Sequence, residues 1–263
     1  QQVVADLLAQ VLVGVPRAPE FADRVDIWCV RHVSIATPVG QNPAVGTVEG
    51  MPTRKTSPTL LLLIRHGETP TTGKVLPGCA PGLHLAPAGE REAESVAERL
   101  AGLPLAAIYA SPLERACETA GPTASRTGLA VVTEPGLAEM DTGEWTGERL
   151  ALLARRKEWA GVLRAPSTFR FPGGESFVEL HARVAGALDR IRVAHPGAVV
   201  ACFSHADPIK AALVHAVGSH LDAVGRLAVD TGSVSAIAYP DAAAPVVVLT
   251  NSTRGPLAYL AGG

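Results

Sequence analysis

PTLLLLIRHGETPTT, residues 58–72, runs five apolar side chains, Leu60 to Ile64, straight into an arginine and a histidine. An apolar run this short, closed by Gly67, reads as a strand buried on both faces, the kind that lies inside a parallel sheet. Ligands in open α/β sheets bind at the carboxyl ends of strands, so Arg65, His66 and Gly67 stand where a site is expected. Working outward, the sequence predicts helices at 87–100, 113–126, 148–163, 176–194 and 208–217. Between them it predicts strands at 106–109, 130–133 and 198–203, then closing strands at 234–239 and 246–249. That alternation predicts an α/β three-layer sandwich, with a mainly parallel central sheet and helices on both faces.

The carboxyl ends of the predicted strands carry the polar groups. RHGET follows the first strand, SPLERACETA the second, LAEMDTGEW the third, and SHADPIK follows AVVACF. Two histidines, two arginines and a glutamate (His66, His205, Arg65, Arg115 and Glu139) therefore come to one edge of the sheet. RHG at 65–67, SPLERACETA at 111–120, LAE at 137–139, GGES at 173–176 and SHADPIK at 204–210 also stand in a known order. Through them the chain resembles the histidine phosphatase superfamily, its phosphoglycerate mutase-like branch, over about residues 58–250.

Phosphate-ester chemistry suits these residue types. His66 is the expected nucleophile, because a neutral imidazole attacks near pH 7 and a phosphohistidine splits one hard step into two. Arg65 and Arg115 are expected to clamp the phosphoryl oxygens, since a planar guanidinium matches phosphate by paired hydrogen bonds. The resemblance makes His205 a further donor, more useful when protonated. Gly67, Thr72 and Ala206 join the expected phosphate contacts, and helix N-terminal amides near Arg115 and after His205 add to the anion site. Asp207 and Pro208 read as helix-start chemistry, with Pro at the first helical position. Glu139, matched by LAE, is the expected acid that protonates the leaving alkoxide and then, as carboxylate, activates water. Its competitors by type are Glu134, Asp141 and Glu144.

Two positions depart from the family pattern. Thr72 stands where the family often has an Asn, and Cys79 where it often has a basic residue. Both changes, with a short cap at about 140–175, favour hydrolysis over phosphoglycerate mutase-type transfer, which must keep water off the phosphoenzyme and grip a carboxylate. A non-catalytic module that binds a phosphorylated ligand is the alternative of another class; the intact set of five residues argues against it. A paired-histidine metal site is disfavoured by the arginines beside His66. In the cap, Arg155-Arg156-Lys157 reads as a solvated face, and Trp145, Trp159, Phe169 and Phe171 as its packing. His84 and His181 carry no assigned role.

The rest of the sequence sets outer limits. With 23 basic and 25 acidic residues the net charge is -2, so no global field draws the chain to nucleic acid or an anionic membrane. Four scattered cysteines form neither a CxxC pair nor a disulfide framework. The expectation is a cytoplasmic enzyme without cofactor or metal, acting on a small-molecule phosphate ester. Residues 1–50 read as an N-terminal extension, with a helix at 3–13 and a second pair, Arg31-His32, read as coincidence; residues 51–263 read as the catalytic domain.

Overall fold

The computed structural model describes residues 57–261; the expected extension, its helix and Arg31-His32 lie outside the described residues. In chain order the main elements are β1 (Thr59–Arg65), α1 (Pro87–Leu100), β2 (Leu105–Ala110), α2 (Glu114–Thr127) and β3 (Val131–Thr133). They continue as α3 (Leu150–Leu153), α4 (Trp159–Arg164), α5 (Phe177–Ala194), β4 (Val199–Ser204), α6 (Ala206–Ala216), β5 (Val234–Tyr239) and β6 (Val246–Ser252). The strands form one sheet in the order β3-β2-β4-β1-β5-β6. β1, β2, β3 and β4 pair in parallel, whereas β5 runs antiparallel to both β1 and β6.

The apolar run of β1 divides its side chains between two cores, as the period of two requires. Leu60, Leu62 and Ile64 pack with Val96 and Leu100 of α1 and Ala120 of α2. Leu61 and Leu63 face the other way, onto Leu180, Val184 and Leu188 of α5 and Ile209 and Leu213 of α6. Each fully buried leucine contributes about 2 kcal/mol of transfer free energy, so the run anchors both layers. Strand β4 repeats the device, with Val200 and Cys202 on one face and Val199, Ala201 and Phe203 on the other.

Strand register then positions the polar groups. β1 lies beside β4 with Arg65 opposite Ser204, so the next residue of each chain segment, His66 and His205, emerge side by side. Helix α6 begins at Ala206 with His205 as its N-cap. That is two residues before the predicted start, and Pro208 sits within the first turn, where its missing N–H costs nothing. Gly67 is required by close approach: a Cβ there would lie 2.5 Å from the carbonyl oxygen of Gly89, and one on Gly89 would lie 2.1 Å from the carbonyl oxygen of Glu68.

The predicted helix over 148–163 is broken. Leu153 is buried, residues 154–158, an alanine and four charged residues, form a turn, and the chain resumes as α4 at Trp159. On an unbroken helix Leu153 and Trp159 would point about 120° apart. The turn brings both into one cluster, in which Trp145 lies 6.0 Å from Trp159 and 5.6 Å from Phe169, ring centre to ring centre. Phe171 meets Trp145 edge-on at 5.4 Å, so the four aromatics pack the cap as expected. Arg156 lies over the Trp145 ring rather than wholly in solvent. Ser176 caps α5 through a reciprocal capping box with Glu179.

Candidate active site

His66 is 5% exposed and its orientation is settled by one contact, Nδ1 to the carbonyl oxygen of Gly67 at 2.7 Å. A carbonyl only accepts, so Nδ1 carries the proton and Nε2 presents a free lone pair. Burial, then the Arg65 charge, depress the His66 pKa to about 3, against the pull of the Gly67 hydrogen bond; Arg115 lowers it further. The imidazole is neutral at physiological pH, as a nucleophile requires.

His205 stands 5.0 Å from His66, centroid to centroid, and is fully buried. Its Nε2 lies 2.7 Å from the Ser111 hydroxyl. Burial, then His66, Arg115, Arg65 and Arg183, hold its pKa well below the usual histidine range. That direction favours the neutral ring over the protonated form expected from the sequence. If Ser111 donates to Nε2, the proton sits on Nδ1, a buried atom that hydrogen-bonds no protein atom among the described residues. A neutral His205 can then still donate.

Arg115, in the first turn of α2, is entirely buried, and its Nη2 donates to the Gly78 carbonyl at 2.9 Å. Its Nε and Nη1 are buried without a protein partner among the described residues, as is Nε of Arg65, whose Nη1 donates to Val229 at 2.7 Å. Buried donors left unpaired are rare and call for an explanation. Three guanidinium nitrogens and one imidazole nitrogen, on residues whose charges bear on His66 and His205, offer donors that a tetrahedral dianion would satisfy. Neither α2 nor α6 spends a side chain on capping its first amides, which adds two positive helix ends.

Glu139 joins this group from the loop after β3. Burial and the nearby charge of Asp207 push its pKa up to about 7, opposed by the Met140 amide at 2.9 Å and by Arg115 and Arg65. Of its competitors, Glu134 is tied to Gly136 and Arg190, and Asp141 accepts from Gly143. Glu144 is exposed.

Two expected phosphate contacts are otherwise engaged. The Gly67 amide donates to Thr119 Oγ1 at 3.0 Å, so this glycine orients His66 and packs on Gly89 instead of reaching an anion. The Thr72 hydroxyl accepts from the Thr69 amide at 2.9 Å and pairs with the Thr69 hydroxyl at 3.0 Å, which closes a local turn. Ala206 opens α6, and its amide faces the same end of the sheet as His66. Cys79 donates to the Glu139 carbonyl at 3.0 Å, and burial together with the Glu139 charge pushes its thiol up to about 11. A thiol so shifted is a poor nucleophile. His84 pairs with Glu118, and His181 lies 3.2 Å from His215 on the helical face.

The pattern of the histidine phosphatase superfamily, branch 1, matches residues 61–253. The chain belongs to that superfamily. Among its relatives, phosphoserine phosphatase 1 of Hydrogenobacter thermophilus is 30% identical over 182 residues, covering 67% of this chain and 85% of that protein. A bifunctional protein of Mycobacterium tuberculosis is 33% identical over 258 residues, covering 91% of this chain and 68% of that protein. The crystal structure of an Entamoeba histolytica phosphoserine phosphatase variant in complex with phosphoserine superposes with a TM-score of 0.68. It is 26% identical and covers 74% of this chain and 98% of that one. This histidine phosphatase chain thus has the phosphoglycerate mutase-like α/β fold.

Sequence reasoning missed Ser111 and Arg183. Ser111 lay in plain view inside SPLERACETA, but only the fold shows that its hydroxyl meets His205. Arg183 carried a signal too: it is a cation at the edge of the apolar stripe of α5, three residues after Leu180 and one before Val184, both buried.

Proposed function

We propose that this protein is a metal-independent phosphomonoesterase working through a phosphohistidine on His66. The observation that carries the reading is the neutral, tautomer-locked His66 among buried arginine and histidine donors that no protein atom of the described residues satisfies. Nε2 of His66 attacks phosphorus while the ester P–O bond breaks and the departing oxygen takes the proton of Glu139. Arg65, Arg115 and His205 hold the phosphoryl oxygens as charge shifts across them. The Gly67 carbonyl stabilises the Nδ1–H as the ring acquires positive character. The Glu139 carboxylate then takes a proton from water, the resulting nucleophile attacks phosphorus, and the P–N bond breaks to return its electron pair to His66. A pKa of about 7 on Glu139 suits it to both halves of the cycle near neutrality.

Two phosphoserine phosphatases among the relatives support hydrolysis and make phosphoserine a first natural substrate to try. A mutase would need a cation for a substrate carboxylate; Cys79, with its raised pKa, is neutral at that position. The deciding experiment measures release of phosphate from an aryl phosphate and a panel of natural phosphomonoesters, in EDTA, by wild type and His66→Ala. Turnover in the chelator, loss of at least about four orders of magnitude in the variant, and acid-labile, alkali-stable label on His66 are expected. A His66→Ala enzyme that still turns over at near wild-type rate would overturn the reading.

A further inference from the structure

The loop that carries Glu139 takes single side-chain hydrogen bonds from Ser204, at the Leu137 carbonyl, and from Cys79, at the Glu139 carbonyl, but several from Arg183. Arg183 reaches both oxygens of Glu175, Nε to Oε1 at 2.7 Å and Nη2 to Oε2 at 2.9 Å. Its Nη1 donates to the carbonyls of Gly136 at 3.1 Å and Ala138 at 2.8 Å, and its Nη2 also donates to the carbonyl of Glu139 at 2.8 Å. A guanidinium has five N–H donors, and these contacts use them all. Nothing is left over for a substrate.

The geometry around it is that of a clamp. Three carbonyls between residues 136 and 139 converge on one rigid plane. Glu175 braces that plane and also donates its own amide to the Asp141 carbonyl at 2.8 Å, closing the far side of the same loop. The Cys79 thiol adds a donor to the Glu139 carbonyl. Gly136 lets the loop lie against α5, since a Cβ there would sit 2.5 Å from that of Ala187. The segment needs this support, because apart from the short 3-10 turn Pro135–Leu137 it has no helix or strand ladder to hold it between β3 and residue 142.

We propose that Arg183, braced by Glu175, is the positioning residue of the acid–base group. It fixes the backbone on either side of Glu139 so that the carboxyl meets the leaving oxygen, and it does so without touching substrate. The proposal rests on the reading of Glu139 as proton donor. It also assigns a purpose to the GGES motif: Ser176 starts α5, Glu175 locks the arginine, and Gly174 lies where a Cβ would be 2.5 Å from the Asp141 carbonyl oxygen.

Leaving-group dependence tests it, because kcat/KM reports the steps up to departure of the leaving group. p-Nitrophenolate leaves without a proton, whereas the serine alkoxide of phosphoserine needs one. Arg183→Met and Glu139→Gln are each expected to lower kcat/KM for phosphoserine at least about tenfold more than for p-nitrophenyl phosphate. Arg183→Lys keeps the charge but loses the fork, and is expected to behave like Arg183→Met. The Arg183→Met/Glu139→Gln double variant should be little worse than Glu139→Gln alone, since both act through one group. If Glu139→Gln discriminates between the substrates and Arg183→Met lowers both equally, the clamp proposal is overturned. If Glu139→Gln itself lowers both equally, the proton-donor reading fails and the proposal falls with it. Should Arg183→Met not fold, Glu175→Gln carries the same comparison, with the same pattern expected and equal losses overturning it.

Discussion

His66 and Glu139 belong to one site, yet they are held in unlike ways. His66 follows a strand whose every apolar residue is buried, next to a parallel strand in fixed register, and its ring is locked by the carbonyl of the following residue. Glu139 lies on irregular backbone that a distant arginine gathers by its carbonyls. The phosphate end is thus set by sheet topology, which costs little to specify once the core forms. The leaving-group end is set by side chains from α5 and the cap, Arg183 and Glu175, which bond to each other and to the Glu139 loop. On the proposed reading, chemistry common to phosphomonoesters falls on the first region and discrimination among them on the second.

The largest effect should come from the phosphate end. Arg115→Met removes a buried cation and two donors free for an anion, and is expected to lower kcat/KM about 100- to 1,000-fold for aryl and alkyl esters alike. Steady-state kinetics on both ester classes check this, and a loss confined to alkyl esters would erase the division between the two regions. The leaving-group end should instead show itself in pH dependence. Glu139 must be protonated for the first step, so kcat/KM for an alkyl phosphate is expected to fall as pH rises through about 7. Where dephosphorylation limits turnover the carboxylate is needed, and kcat should rise through the same value. His66 stays neutral well below that window, so it contributes no limb there. A pH–rate profile that is unchanged by Glu139→Gln would break this assignment.

The cap should give a smaller effect. Phe169 packs on Trp145, on Phe171 and against Gly161, where a Cβ would lie 2.8 Å from its ring. Phe169→Ala is expected to cost about 2 kcal/mol and to lower Tm by a few degrees. KM should rise severalfold while the rate of His66 phosphorylation at saturation holds, which thermal unfolding and single-turnover labelling would show. Smallest of all is Thr72→Ala. Its hydroxyl bonds only within the Thr69 turn, so kcat/KM should change by less than about threefold. A loss of 100-fold would return Thr72 to the phosphate site.

Much of the architecture was legible from periodicity. The buried run at Leu60 to Ile64, the helix over Pro87–Leu100 and the strand at Val234–Tyr239 follow from apolar spacing and from Pro and Gly punctuation. So does the arrival of His66, Arg115 and His205 at strand and helix ends, because each lies next to a local signal, whereas Glu139 sits on the irregular loop after β3. The single helix expected over 148–163 failed because helical propensity says nothing about which face each half must bury. Leu153 and Trp159 answer to the same cluster, and only a turn lets both reach it.

Residue order and spacing by themselves determined which chemical groups this chain could bring to one edge of a sheet. They left open which of those groups are already spoken for. That the Gly67 amide goes to Thr119, that Thr72 closes a turn, that Ser111 meets His205 and that Arg183 spends every donor on one loop are facts of tertiary structure. The reason is physical: the apolar spacing that marks a strand or a helix is written within a few residues, whereas a hydrogen-bond donor is allotted to whichever acceptor the fold carries to it. In this site those partners lie between 3 and 94 residues apart in the chain.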